Sequence, residues 1–289
     1  MVDSAEGEIL IVGGNSFIGK ALSDYLIKKK YQTISTFKDC KNKSASTCIT
    51  IDLSNLDLSQ IPSNIQVAYI CAGITKKNDC ENKPDFSNLV NVVNTVKLIE
   101  YLIKHNIHVV FLSTNEVFSG EKPYVKYNGD YAACSLYGKQ KAEVERKIFG
   151  YQNISIVRLT KVFDKNSALL REWINSLTSG KSIQAFNDVN ISPITLLYTI
   201  NILSKIGLNK MSGKFQLSGE TDITYFDFAN LLATKLNLSL DLVGGVSCAN
   251  IIGEENKRNY SSLNMNKEVG ELKIKPQSIK QVIDEIIDV

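Results

Sequence analysis

Apolar and polar positions alternate in blocks through the first 160 residues of the chain. Short apolar runs typical of buried strands are separated by longer stretches in which apolar residues recur at helical spacing. The predicted strands cover residues 8–12, 33–37, 48–51, 67–71, 109–113 and 154–159, and the predicted helices cover residues 19–30, 86–105 and 135–149. This alternation predicts an α/β fold of the Rossmann type, built on a doubly wound parallel sheet.

The pattern changes after residue 159, where the strict alternation of strand and helix ends. Helical spacing returns in residues 169–177, 225–236 and 278–289, and residues 214–217 form a short strand-like run. We therefore expect a Rossmann domain over residues 1–160. A smaller C-terminal substrate-binding lobe is expected over residues 161–289, interleaved with the sheet.

Composition and charge exclude several classes of function. The chain has 289 residues, of which 44% are hydrophobic, and a net charge of only +3, so nothing favours nucleic acid as a partner. Its first eight residues are acidic and polar, unlike a signal peptide. No apolar run approaches the ~20 residues that span a bilayer. A cytoplasmic protein without a membrane partner is expected.

Six cysteines and two histidines are the candidate metal ligands. No two cysteines form a Cys-x-x-Cys pair, and His105 and His108 have no metal-site spacing relative to them. We therefore expect reduced thiols and no metal site.

A glycine-rich turn, GGNSFIG at residues 13–19, follows the first predicted strand. Glycine at the start allows a sharp turn, glycine at the end allows the helix to pack closely, and the helix N-terminus favours a pyrophosphate. Ser16 replaces the usual middle glycine, and its side chain narrows the space in which a pyrophosphate can approach the backbone. An ordinary strand–helix turn would look similar. The predicted coenzyme contacts here are Gly13, Asn15, Ser16, Phe17, Ile18 and Gly19.

Lys38 follows the second predicted strand, where NAD-binding proteins often carry an acid for the ribose diol. A lysine there attracts a 2′-phosphate, which favours NADPH and leaves NADH as a second option. The neighbouring Asp39 acts against this argument, and a solvated surface lysine is the alternative. Asp52, which precedes Leu53, could accept a hydrogen bond from the adenine amino group, or it could cap the next turn. Cys71, Ala72 and Gly73 are small enough to admit the nicotinamide ribose.

Tyr137 and Lys141 stand four residues apart, on one face of a predicted helix. Ser113 and Thr114 end the fifth predicted strand, and strand ends border the ligand crevice of such sheets. A free tyrosine has a pKa of ~10, which a neighbouring ammonium and an oxidised nicotinamide would lower. The phenol could then exchange a proton with an oxygen as hydride arrives at its carbon. Tyr-x-x-x-Lys is common by chance, so only this context gives it weight.

The glycine-rich turn, STNEVF at 113–118, YGKQK at 137–141 and RNYSSL at 258–263 together resemble the extended short-chain dehydrogenase/reductase family. More narrowly, they resemble its branch of dTDP-4-dehydrorhamnose reductase-like sugar-nucleotide reductases. The resemblance implies NADPH-dependent reduction of the C4 keto group of a nucleotide-activated 4-keto-6-deoxy sugar, for surface polysaccharide or glycan synthesis. Thr114, Tyr137 and Lys141 would be catalytic, and a homodimer is left open.

The resemblance also implies further site residues. Asn91 matches a helix asparagine that supports the site, Asp52 and Leu53 match adenine contacts, and Ser113 belongs to the coenzyme site. The implied substrate contacts are Asn115, Glu116, Arg158, Trp173 and Arg258. Three positions depart from the branch, which usually has Asp at 115, Tyr at 116 and Pro at 259.

Two other functions stay open at this point. A redox-neutral epimerase or dehydratase with tightly held NAD could use Glu116 as a base, although Asn115 cannot donate a proton at neutral pH. A non-catalytic NADP-binding regulatory subunit is the other, but it has no need of the intact set Thr114, Tyr137 and Lys141.

Overall fold

The computed structural model describes residues 7–40, 48–251, 253–254 and 257–288. These residues form two compact units. The first holds the described residues within Met1–Val117, Ser135–Arg158 and Ile200–Lys214, and the second holds those within Phe118–Cys134, Leu159–Thr199 and Phe215–Val289. The chain thus passes between the units several times. The expected boundary at residue 160, with a C-terminal lobe interleaved with the sheet, stays a prediction.

The central element is a seven-stranded sheet with the strand order β11-β6-β5-β4-β1-β2-β3. The pairs β1–β2, β1–β4, β2–β3 and β4–β5 are parallel, with Ile9 opposite Thr33 and Val67, Ser35 opposite Cys48, and Val67 opposite His108. Its strands are β1 (Glu8–Val12), β2 (Thr33–Phe37), β3 (Cys48–Thr50), β4 (Ile65–Ile70), β5 (His108–Thr114), β6 (Ile154–Leu159) and β11 (Gly213–Leu217). This order confirms the predicted Rossmann-type doubly wound sheet.

Helices connect β1 to β2, β4 to β5 and β5 to β6, as is usual where parallel strands need a crossover. The helices of the first half are α1 (Phe17–Lys28), α2 (Lys77–Asn82), α3 (Pro84–Asn88), α4 (Thr95–Lys104) and α5 (Leu136–Ile148). Between α3 and α4 the chain forms a π-helical segment, Leu89–Asn94. The single helix predicted over residues 86–105 is therefore wrong in detail, because the hydrogen-bond spacing changes twice along it.

The inner strands β1, β4 and β5 are largely apolar and buried on both faces, as expected of parallel strands covered on both sides. The core of the first unit contains Leu10 of β1, Ile70 of β4, Phe111 of β5 and Leu98 of α4, all at most 1% exposed. Burying one such side chain stabilises the fold by roughly 1.5–3 kcal/mol. The carboxyl ends of β4 and β5 are thus held rigidly next to each other.

The second unit is built on three short strand pairs around its own apolar cluster. The pairs are β7 (Val162–Phe163) with β10 (Ile194–Thr195), β8 (Ile183–Phe186) with β13 (Val243–Val246), and β9 (Asn190–Ile191) with β12 (Ile223–Thr224). Its helices are α6 (Ala168–Thr178), α8 (Tyr225–Lys235), α9 (Asn266–Leu272) and α10 (Ile279–Asp288), whereas α7 (Leu196–Leu208) lies mostly in the first unit. Phe163, Phe228 and Leu232 are buried in the cluster, so this unit has its own core.

The described residues lack two kinds of feature. None of their helices has the length and apolar character to cross a bilayer. Nor do those residues include a group of three or more His, Cys, Asp and Glu side chains placed to hold a metal ion.

Candidate active site

The glycine-rich turn between β1 and α1 depends on the lack of side chains at Gly13 and Gly19. Gly13 has a φ of +92°, and a Cβ atom there would lie 2.8 Å from the backbone nitrogen of Ala72. A Cβ atom on Gly19 would lie 2.3 Å from the carbonyl oxygen of Gly13. Both contacts are too short for a real side chain, so the turn needs glycine at both positions.

The Ser16 side chain stabilises this turn with two hydrogen bonds. Its hydroxyl donates to the Gly13 carbonyl at 2.8 Å and accepts from the Gly19 amide at 3.1 Å. As the N-cap of α1 it leaves the other first-turn amides, including those of Phe17 and Ile18, without helical acceptors. Such a helix start, with two glycines that admit close approach, fits the pyrophosphate of a dinucleotide.

Beside the turn lies a cavity of about 530 Å³. Both α1 and β2 contribute to it, and Thr36 of β2 also accepts from the Gly13 amide at 3.1 Å. The lining residues are Gly14, Asn15, Lys20, Ser23, Asp24, Ile27, Thr33, Ser35, Phe37 and Cys48. The first unit therefore has room for a ligand group between the turn and the carboxyl end of β2.

Lys38 and Asp52 form an ion pair at the end of β2. Their charged atoms are 3.8 Å apart, and the Lys38 side chain is 72% exposed. Asp52 also accepts from the Ser54 amide at 2.8 Å, so it caps the turn after β3, one of the two roles left open by the sequence. Burial acts against its charge, but the Ser54 hydrogen bonds and Lys38 lower the pKa of Asp52. Leu53 packs in the core.

The prediction that all cysteines are reduced is wrong, because Cys40 and Cys48 form a disulfide. Cys48 begins β3 opposite Ser35 of β2, which brings it within 6.4 Å, Cα to Cα, of Cys40. Sequence spacing gave no sign of this pair, since the contact arises from strand adjacency. The other four cysteines, Cys71, Cys80, Cys134 and Cys248, are free thiols.

Asn91 fixes the loop that follows β4. Its side chain accepts from the Ile74 amide at 2.8 Å and donates to the Ile74 carbonyl at 2.9 Å. It also donates to Gln140 of α5 at 2.8 Å. The π-helical segment therefore carries the asparagine to a point between β4 and α5. Gln140, which the sequence argument passed over, is the partner that joins them.

Thr114, Tyr137 and Lys141 meet at the carboxyl end of β5. The Thr114 side chain lies near enough to the Tyr137 phenol to act on its pKa. Lys141 is buried, donates to the Leu112 carbonyl at 2.8 Å and lies 4.4 Å from the centre of the Phe111 ring. The helix that carries Tyr137 and Lys141 begins at Ser135, whose hydroxyl caps it through the Gly138 amide at 3.1 Å.

The protein raises the pKa of Tyr137 instead of lowering it. Burial is the main cause, and the carboxylate of Glu116 adds to it, while the Thr114 side chain acts in the opposite direction. Burial lowers the pKa of Lys141 to about 8, against the opposing effect of Glu145. At neutral pH the phenol is thus protonated, the form required of a proton donor.

Asn115 and Glu116 form the short 3-10 turn after β5. The Glu116 amide donates to the Thr114 hydroxyl at 3.2 Å, and its carboxylate forms an ion pair with Lys77 at 2.9 Å. Asn115 is 7% exposed, and its side-chain oxygen accepts from Thr114 at 3.4 Å. Both residues thus adjoin the Thr114 hydroxyl, as substrate-orienting groups would.

Arg158 is placed differently from the substrate contact that the resemblance implies. It is fully buried on β6, and its guanidinium binds the carboxylate of Glu145 at 2.7 and 3.1 Å. The same carboxylate accepts from the Ser113 hydroxyl at 2.5 Å. This placement gives Arg158 an internal ion pair in place of the predicted substrate contact, and it identifies Glu145 as a site neighbour that the sequence argument missed.

Trp173 and Arg258 belong to the second unit. Trp173 is 4% exposed in the apolar cluster of that unit, with its ring edge-on to Tyr225. Arg258 is half-buried, and one of its guanidinium nitrogens donates to the Phe118 carbonyl at 3.4 Å. The Arg258 side chain crosses Gly120, where a Cβ atom would lie 2.8 Å from it. Their predicted substrate contacts stay predictions.

Comparison with known proteins gives a family match over nearly the whole chain. The model of the family described as RmlD substrate binding domain matches residues 7–289. A dTDP-4-dehydrorhamnose reductase from Aggregatibacter actinomycetemcomitans is 26% identical over 260 residues, covering 83% of this chain and 85% of that protein. The sequence-based resemblance to this reductase branch is therefore confirmed.

Two further proteins resemble the chain. The crystal structure of dTDP-4-dehydrorhamnose reductase from Bacillus anthracis in complex with NADP superposes with a TM-score of 0.85 at 19% identity and covers 99% of both chains. Methionine adenosyltransferase 2 subunit beta from Pongo abelii is 19% identical over 265 residues, which are 87% of this chain and 78% of that protein.

Proposed function

We propose, because this chain belongs to the RmlD substrate binding domain family, that it is an NADPH-dependent reductase of a nucleotide-diphosphate 4-keto-6-deoxy sugar. NADH is a second coenzyme option. The observation that carries the proposal is the cluster of Thr114, Tyr137 and Lys141 at the carboxyl end of β5, in the same unit as the glycine-rich turn. That cluster unites a proton donor, a hydroxyl and a buried ammonium.

The coenzyme would supply a hydride to the C4 carbonyl carbon. The phenol of Tyr137 would give its proton to the carbonyl oxygen, and the Thr114 hydroxyl would hold that oxygen by a hydrogen bond. The raised pKa of Tyr137 suits this direction, because the acid must be protonated before it can donate. Lys141 would bind the nicotinamide ribose and offset the charge left on the phenolate.

The other predicted contacts follow the same arrangement. The turn at Gly13–Gly19 would hold the pyrophosphate, and Lys38 would select the 2′-phosphate. Cys71, Ala72, Gly73 and Asn91 would border the ribose, and the second unit would bind the nucleotide sugar. A role in surface polysaccharide or glycan synthesis belongs to the same proposal. A cytoplasmic location and a homodimer stay predictions.

Two observations favour other functions. The Glu116 carboxylate, paired with Lys77, stands beside Tyr137 where a redox-neutral epimerase or dehydratase would need a base. The similarity to methionine adenosyltransferase 2 subunit beta, a protein named as a subunit, keeps open the non-catalytic regulatory subunit that the sequence allows. The first function requires NAD that stays bound through purification, and the second requires no turnover.

The test is the decrease in NADPH absorbance when the purified protein meets freshly generated dTDP-4-keto-6-deoxyhexose, with and without a 3,5-epimerase. Oxidation is expected, and its dependence on the epimerase identifies the substrate isomer. No oxidation of either NADPH or NADH would contradict the reductase. Denaturing the protein and assaying the released nucleotide then separates the redox-neutral enzyme from the regulatory subunit.

A further inference from the structure

Three consecutive residues at the end of β5 adjoin α5 at three positions. The Leu112 carbonyl accepts from Lys141 and the Ser113 hydroxyl donates to Glu145, while Thr114 lies near Tyr137. The helix residues 137, 141 and 145 are spaced by four, so they lie along one face of α5. Glu145 thus continues the row formed by the two proposed catalytic residues.

Glu145 is a carboxylate with no access to solvent. Its side chain and that of Arg158 are both 0% exposed, and Arg158 binds it through Nε and Nη2. A buried ion pair adds little to stability compared with well-packed apolar residues, because both charges lose their hydration. Packing between α5 and β6 therefore does not require this ion pair, and its presence points to a role other than stability.

The ammonium of Lys141 supplies that reason. It is buried one helical turn from Glu145, and the groups that favour its charged form are Glu145, Cys71 of the β4 end and Cys80 of α2. Burial raises the pKa of the Cys71 thiol to about 12 and also raises that of Cys80. Both thiols are therefore neutral at pH 7. Of these three groups, Glu145 is the one that forms an ion pair, with Arg158 at 2.7 Å.

We propose that Glu145 is a positioning residue for the reaction proposed above, on which this inference rests. Through Ser113 it fixes the end of β5 that carries Thr114, and through its charge it keeps the Lys141 ammonium protonated. Arg158 holds the carboxylate in the orientation that serves both contacts. The charge on Lys141 is thereby controlled by a buried ion pair between α5 and β6.

The experiment compares two variants with a matched control. Glu145→Gln removes the charge but leaves Arg158 buried without its carboxylate, so the double variant Glu145→Gln/Arg158→Met removes both charges together. Glu143→Gln is the control, since it removes a carboxylate from the same helix, there half-exposed and 3.6 Å from Lys147. Circular dichroism and thermal unfolding establish that each variant is folded.

The readout is the pKa of Lys141, measured in two independent ways. The first is the alkaline limb of the pH profile of kcat. The second is NMR titration of protein labelled with [6-13C]lysine, with the Lys141 signal assigned by its loss in Lys141→Arg. We expect the limb and the NMR pKa to move down by about one pH unit in the double variant and not in the control. We expect Glu145→Asp, which keeps a carboxylate at this position, to retain the Lys141 pKa of the parent protein.

An unchanged Lys141 pKa in the folded double variant would overturn the inference and reduce the pair to an internal ion pair. The NMR titration also distinguishes this failure from a failure of the proposed function. If the parent protein oxidises no NADPH, the reductase proposal fails. The Lys141 pKa still reports whether Glu145 controls it.

Discussion

At the carboxyl end of β5, Lys141 and Glu145 are buried and hydrogen-bonded, whereas at the end of β2 the charged Lys38 is 72% exposed. Both regions belong to the first unit, and both are expected to contact one coenzyme. The β5 region is held by side-chain bonds between a strand and a helix. The β2 region is held by an ion pair at 3.8 Å and a disulfide.

This difference separates chemistry from coenzyme choice. Buried groups act on each other through a medium of low dielectric constant, so one change there alters the pKa of its neighbours and the rate. Exposed charges are screened by water and salt, and each contributes little. Substitutions at the β5 end should therefore change kcat strongly, and substitutions at the β2 end should change coenzyme preference modestly.

Tyr137→Phe is expected to have the largest effect. It removes the phenolic proton and keeps the ring, so kcat should fall by roughly 10²–10⁴, the usual contribution of a general acid. The affinity for NADPH, measured by fluorescence titration, should stay nearly unchanged. Turnover close to that of the parent would remove Tyr137 from the mechanism and end the contrast between the two regions.

Gly19→Ala is expected to have the next largest effect, because Gly19 lies in the turn proposed to hold the pyrophosphate. The added Cβ atom would lie 2.3 Å from the Gly13 carbonyl oxygen and 2.7 Å from the Ser16 hydroxyl, so the turn must shift. We expect a loss of about 1–3 kcal/mol in the free energy of unfolding, with weaker NADPH binding.

Gly270→Ala is the matched control for that variant. Gly270 lies within α9, and an added Cβ atom there would meet nothing within 4 Å. Alanine should stabilise that helix by roughly 0.5–1 kcal/mol and leave NADPH binding unchanged. Equal effects of the two substitutions in urea unfolding would show that the close approach at Gly19 is unimportant.

The sheet could be predicted from the sequence because most of its strands are short runs rich in apolar residues, which can be recognised without knowledge of their neighbours. Strand β1 at Glu8–Val12 and β6 at Ile154–Leu159 have the predicted bounds. The π-helical segment could not be predicted in this way. Periodicity reports which face is apolar, and Asn91 is placed by bonds to Ile74 and Gln140 that are distant in sequence.

The placement of Arg158 shows why some site residues could not be identified from the sequence. Its position near the end of a strand resembles a substrate contact, and the sequence does not show that Glu145 lies across from it on another element. The disulfide is a similar case, since Cys40 and Cys48 approach only when β2 and β3 pair. Residues at fixed spacing on one helix, such as Tyr137 and Lys141, are the ones that sequence can identify.

Lys38→Asp is expected to have the smallest effect. It replaces the cation proposed to attract the 2′-phosphate with a repelling carboxylate, beside Asp52. The ratio of kcat/KM for NADPH to that for NADH should fall by about tenfold, since an exposed ion pair is worth at most ~1 kcal/mol and the charge is reversed. Because the contact is solvated, the change should shrink as salt rises towards 1 M, where the screening length is ~3 Å.

Lys122→Asp makes the same charge change at an exposed position of the second unit and should leave the ratio unaltered. An equal shift in both variants would assign the preference to net charge. If the ratio does not change in Lys38→Asp, the coenzyme is selected by buried residues of the site. The exposed β2 end and the buried β5 end would then not divide coenzyme choice from chemistry.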